Sequence, residues 1–97
     1  MIYTKKQTTL LSSVRNALRI LRVFSPDKIE LGVSEVSSEL GLPTSTTHRL
    51  MSTLTSNGYL NKCVGRRYRL GIIFFKLGEI ITNHLEIHRE AQPILEK

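Results

Sequence analysis

Residues Ser34–Asn57, SEVSSELGLPTSTTHRLMSTLTSN, leave the chain few ways to fold. Ser34 is a candidate N-cap for a short helix through Leu40, with Val36 and Leu40 turned inward. Gly41 closes that helix, because glycine takes the left-handed conformation past a helix end without steric cost. Pro43 and Thr44 restart the chain at once, and the period predicts a second helix to about Asn57. Its inner side is Thr47, Leu50, Met51 and Leu54. So short a connection makes the two helices cross and share one apolar stripe, with Leu42 plugging the gap between them. Asn57–Gly58 ends the second helix.

The flanks complete a small domain. Residues 13–25, SVRNALRILRVFS, have a helical period with Val14, Ala17, Leu18, Leu21 and Phe24 as the apolar stripe and Arg15, Arg19 and Arg22 opposite. Pro26 ends that helix. Leu31 and Val33 suggest a short strand. After Gly58, two strands are expected, at about Tyr59–Lys62 and Arg67–Leu70, with a turn near Val64–Gly65 and with Tyr68 and Leu70 facing inward. From Ile72 the helical period returns, with Ile73, Leu77, Ile80, Ile81 and His84 on one side and Phe74 and Leu85 beside it. Ile87, Ala91, Ile94 and Leu95 continue the spacing after a break, with Pro93 kinking or delaying that last helix. The expected fold class is mainly α with a small β-hairpin: a winged helix-turn-helix followed by a linker helix. Residues 1–11 read as a flexible N-terminal arm, 12–71 as the winged helix-turn-helix, 72–85 as a linker and dimerisation helix, and 86–97 as the start of a further domain. The 97 residues suffice for one small domain.

Charge points to the partner. Residues 1–71 carry eleven basic and four acidic side chains, whereas residues 72–97 carry three and four. A basic body suits a polyanion. On the second helix, Pro43, Thr44, Ser45, His48, Arg49 and Ser52 point outward, and no carboxylate occurs from Pro43 to Asn57. A merely solvated helix face carries Glu beside Lys, as the preceding helix does with Glu35 and Glu39. Small and donor-rich side chains let a helix enter a DNA major groove and reach base edges and phosphates. The free N–H groups at the helix start add an anion site. The hairpin carries Lys62, Arg66, Arg67 and Arg69, which suits a phosphate backbone or an adjacent minor groove. Arg15 and Arg19 are expected to flank on phosphates.

Other chemistries fit less well. Ser45, His48 and Arg49 share a helical face, but no acidic residue orients the histidine and no nucleophile turn is present, so no catalytic residues are assigned. His84 and His88 sit at a metal-ligand spacing without a third ligand. Cys63 is the single cysteine, which excludes an internal disulfide and a Cys-based zinc site. No apolar run reaches the roughly 18 residues that a membrane span needs. No cofactor is expected, and the cytosol is the simplest location. The reading from another class is a winged helix used for protein–protein contact or dimerisation.

The segments SVRNALRILRVF, LGVSEVSSELGLPTSTTHRLMSTLTSNGYL and RRYRLGIIFFKLGEII together resemble the N-terminal DNA-binding domain of IclR-type transcriptional regulators of bacteria and archaea. GLPTSTTHRLMSTL, NGYL and YRLG, in that order and spacing, carry most of the likeness, which covers about residues 12–97. The resemblance implies a turn and recognition helix within Gly41–Ser56 and a wing at Gly65–Arg67. It implies a linker helix over residues 72–84 that helps form a dimer, with LEIHREAQPILEK beginning an effector domain of GAF-like α/β fold. It further implies a dimer or tetramer on a palindromic double-stranded operator, a prokaryotic, nucleoid-associated location, and a small-molecule effector where the effector domain is present. Ser37 stands where the family usually has Ala, and Thr47 where it has a branched apolar residue. The hydroxyl of Thr47 then needs a partner, expected one turn back. The wing is shorter than is common in the family.

Overall fold

The computed structural model of the chain describes residues 10–84. The N-terminal arm up to residue 9 and the expectations for Leu85, His88 and residues 86–97 lie outside the described residues. The elements are α1 (Ser12–Leu21), β1 (Leu31–Gly32), α2 (Val33–Leu40), α3 (Thr44–Ser56), β2 (Leu60–Cys63), β3 (Arg67–Leu70) and α4 (Ile73–His84). The fold is a winged helix-turn-helix followed by a helix.

Helix α1 stops at Leu21, one turn earlier than the period suggests. The N–H groups of Arg22 and Val23 donate to the carbonyls of Arg19 and Ile20, tightening the last turn. Ser25 and Lys28 then exchange two backbone hydrogen bonds across Pro26–Asp27. The inward stripe also differs. Ile20 is fully buried with Phe24, whereas Val14 and Leu18 are 53% and 55% exposed. The helix is rolled so that its Ile20 side meets the core.

The short strand expected at Leu31 joins the two hairpin strands in one sheet, in the antiparallel order β1-β3-β2. Leu31 pairs with Tyr68 and Gly32 with Arg67, while Leu60, Asn61, Lys62 and Cys63 pair with Leu70, Arg69, Tyr68 and Arg67. Val33 begins α2 instead of continuing β1. The N-cap is Gly32, not Ser34, and the Gly32 N–H donates to Glu35 Oε1 at 2.8 Å. Gly41 takes the left-handed conformation (φ 68°) at the end of α2. The Leu42 N–H and the Ser37 hydroxyl then stitch the turn, donating to Ser37 O and Leu42 O respectively.

The core is Ile20, Phe24, Leu31, Val36, Met51, Leu60 and Tyr68, flanked by half-buried Leu21, Val23, Val33, Leu40, Leu50 and Leu54. Tyr68 faces inward as expected, but Leu70 is 42% exposed. Two polar side chains, Ser37 and Thr47, are buried with them. Thr47 Oγ1 donates to the Pro43 carbonyl at 2.9 Å, the partner one turn back that its hydroxyl requires. Gly71 is buried where β3 leaves the sheet, and its N–H donates to Tyr59 O at 2.9 Å. Tyr59 and Phe74 meet edge to face with ring centroids 5.5 Å apart, which seats the start of α4 on the domain.

Candidate nucleic-acid interface

Between α2, the start of α3 and the β2–β3 hairpin lies an open cleft of about 1060 Å³. Helix α3 supplies Thr44, Ser45, His48 and Arg49; the hairpin supplies Lys62, Gly65, Arg66, Arg67 and Tyr68. Four cations therefore face the cleft against a single lining carboxylate, Glu35. The first turn of α3 holds no acidic residue and no side-chain cap, and Pro43 precedes it as N-cap. Among Thr44–Thr47 only the Thr47 N–H has a backbone acceptor, Pro43 O. The N–H groups before it end the helix dipole beside Ser45 and His48 and favour an anion there.

Seven of the residues expected from the sequence converge on this cleft: Thr44, Ser45, His48, Arg49, Lys62, Arg66 and Arg67. Pro43 and Ser52 are exposed on α3 but do not line it. The hairpin turns through Gly65 (φ 77°) and Arg66 (φ 61°), both left-handed. Arg66 is exposed at the turn, and neither it nor Lys62 makes an ion pair among the described residues.

Arg67, Arg69 and Arg19 are engaged within the fold. Arg67 Nη2 donates to the Glu30 carbonyl at 2.7 Å, its Nε lies 3.7 Å from Glu30 Oε1, and its Nη1 lies 3.2 Å from Glu35 Oε1. Arg69 reaches Glu30 Oε2 at 3.8 Å and lines a separate groove with Phe24, Pro26, Ile29 and Leu70. These pairs are about half exposed, so each contributes about 1 kcal/mol or less to stability. Arg19 donates to Asn16 Oδ1 at 3.0 Å and to the Leu40 carbonyl at 3.2 Å, which ties α1 to the C-terminus of α2. Arg15 is exposed. The first turn of α2, with Val33, Ser34 and Glu35, borders the cleft and was not among the residues expected there. The pairing of Gly32 with Arg67 brings it in, and nothing in the local sequence announces that pairing.

On α4 the expected apolar stripe is largely uncovered: Leu77, Ile80 and Ile81 are exposed, together with Ile72 and Phe75, whereas Ile73 is half buried. Leu10, Leu11, Val14 and Leu18 expose a second apolar surface at α1. His84 ends α4, and His88, four residues on, lies outside the described residues. Among the described residues no three His, Cys, Asp or Glu side chains gather as a metal site. Cys63 is a free, half-buried thiol. No described helix is long and apolar enough to cross a membrane.

A turn-linked helix pair with an exposed, acid-free second helix and a basic wing defines a helix-turn-helix domain of the transcription-regulator class. Residues 13–62 match the IclR helix-turn-helix domain, and the chain belongs to the IclR family, a family of transcription regulators rather than enzymes. The HTH-type transcriptional regulator KipR of Bacillus subtilis is 31% identical over 85 residues, 88% of this chain and 34% of that protein. The HTH-type transcriptional regulator XynR of Escherichia coli is 32% identical over 84 residues, 86% of this chain and 33% of that protein. The crystal structure of an IclR family transcriptional regulator from Brucella abortus superposes with a TM-score of 0.77 at 32% identity, covering 89% of this chain and 33% of that one. The chain thus spans about a third of the length of these relatives.

Proposed function

We propose that this domain binds double-stranded DNA in a sequence-specific manner, with α3 in the major groove and the wing on the adjacent backbone or minor groove. The observation that carries the reading is the cleft, where Arg49, Lys62, Arg66 and the open end of α3 face one carboxylate, Glu35, that is already paired with Arg67. Arg49 and His48 lie within reach of base edges, with Thr44, Ser45 and Ser52 beside them, and Lys62 and Arg66 meet phosphate. The exposed apolar residues of α4 and α1 support a homodimer, and a dimer reads a palindromic operator by its own two-fold symmetry. A tetramer and a small-molecule effector belong to a full-length regulator of this family.

Retention on random duplex DNA at low salt, with elution as salt rises, tests the binding. In-vitro selection of bound duplexes then gives the site and its symmetry. The same exposed apolar surfaces favour one second reading, a winged helix used for protein contact alone. An absence of retention on duplex DNA at low salt selects that reading.

A further inference from the structure

The two arginines that follow Gly65 have opposite surroundings. Arg66 is exposed and makes no ion pair among the described residues. Arg67 spreads one guanidinium over the Glu30 carbonyl, the Glu30 carboxylate and Glu35 Oε1. That same Glu35 oxygen accepts the Gly32 N–H at the start of α2, and Gly32 is the strand partner of Arg67. One side chain therefore ties the wing strand β3 to the segment before β1 and to the first turn of α2. Of these, the wing strand and the first turn of α2 line the cleft together with α3.

We infer that Arg67 is a positioning residue for DNA binding: with Glu30 and Glu35 it fixes the wing against the helix-turn-helix and sets the width of the cleft, and it does not itself neutralise phosphate. This rests on the DNA-binding reading. The charge balance supports it. A phosphate taking Arg67 would displace two carboxylates and leave Glu35, the single acidic residue lining the cleft, facing the polyanion. With Arg67 in place that carboxylate is neutralised and serves as a strut. The planar fork is suited to this, because it presents donors in several fixed directions, whereas an ammonium acts as a point charge.

The test compares R66A, R67K, R67A and E35Q with the unaltered 97-residue chain on random duplex DNA across a salt series, after thermal unfolding has established the folded fraction of each. R66A is expected to lower the slope of log affinity against log salt by about 0.9, the value for one lost phosphate contact. R67A and R67K are both expected to weaken binding about fivefold at every salt, the scale of a lost ion pair of about 1 kcal/mol, with the slope preserved. E35Q is expected to weaken binding as well, and the amide resonances of Gly65 and Arg66 in the free chain should shift in R67K and E35Q alike.

A phosphate-binding Arg67 gives the reverse pattern. R67K then keeps affinity and slope, R67A loses slope as R66A does, and E35Q binds more tightly because a competing acid is gone. Any of these overturns the assignment. Unchanged affinity per folded molecule in R67A and R67K also overturns it, since a purely stabilising pair does not alter binding. Failure of the unaltered chain to bind overturns the DNA reading and this assignment with it, and it is recognised by the loss in every sample rather than in the variants alone.

Discussion

The hydroxyl of Thr47 donates to the carbonyl of Pro43 at 2.9 Å inside the core, and the same carbonyl also accepts the Thr47 N–H. The buried hydroxyl is thus satisfied by its own helix. Thr47→Val removes the donor and leaves the Pro43 oxygen with its backbone partner, so no polar group is stranded. The variant is expected to lie within about 1 kcal/mol of the native chain. Thr47→Ala also leaves a cavity beside Met51 and should cost about 2 kcal/mol. Urea unfolding monitored by circular dichroism checks both, and a large loss in the valine variant would show that the hydroxyl has a further role.

Gly71 is required for a different reason. A Cβ built at Gly71 would lie 2.0 Å from the backbone carbonyl oxygen of Gly58, and backbone on both sides leaves no flexible atom to yield. Gly71→Ala should destabilise the domain by about 3 kcal/mol and loosen the seat of α4 on Tyr59. Gly78 meets nothing within 4 Å, so Gly78→Ala is the matched control and should leave stability equal or slightly higher. The thermal midpoints of the two variants decide the comparison.

Arg66 at the wing tip is expected to act on all DNA sequences alike. Arg66→Ala should weaken specific and random duplex binding to the same degree and flatten the salt dependence. A loss confined to the selected site would instead mark Arg66 as a reader of bases.

The outward face of α3 is expected to behave in the opposite way. Ser45→Ala or His48→Ala should cost roughly 1–3 kcal/mol on the selected site, depending on the base facing the side chain. Random duplex should bind almost as before. Equal losses on both kinds of DNA would count against base readout by that residue.

Dimerisation is expected to depend on α4. Ile80 and Ile81 are 56% and 59% exposed, and a carboxylate at either position would be desolvated in any dimer formed there. Sedimentation of the unaltered chain at micromolar concentration should give a dimer, and Ile81→Glu should give a monomer that still folds. A native chain that sediments as a monomer would remove α4 as the self-association surface at that concentration.

Much of this domain is legible along the chain because its signals are local. The Gly41 turn, the apolar period of α3, the acid-free outward face and the basic residues around Gly65 all sit within a few residues of one another. Backbone sterics and helical periodicity act over that same range. The partner expected for Thr47, one turn back along α3, was legible for this reason. What only the tertiary structure decided are relationships between distant segments. Arg67 meets the Glu30 carbonyl across 37 positions, and Arg19 meets the Leu40 carbonyl across 21. Composition counts both among the free cations, yet Arg67 is ion-paired with Glu30 and Glu35, and Arg19 is held at the surface by Asn16 and the Leu40 carbonyl. Likewise α1 has apolar residues on more than one side, and its packing direction chose Ile20 for the core over Val14 and Leu18. The sequence by itself determined which elements form and which helix face is fit for a polyanion. The fold determined which charges remain available to meet it, because an ion pair is set by through-space distance, and that distance exists only once β1, β3 and α2 have come together.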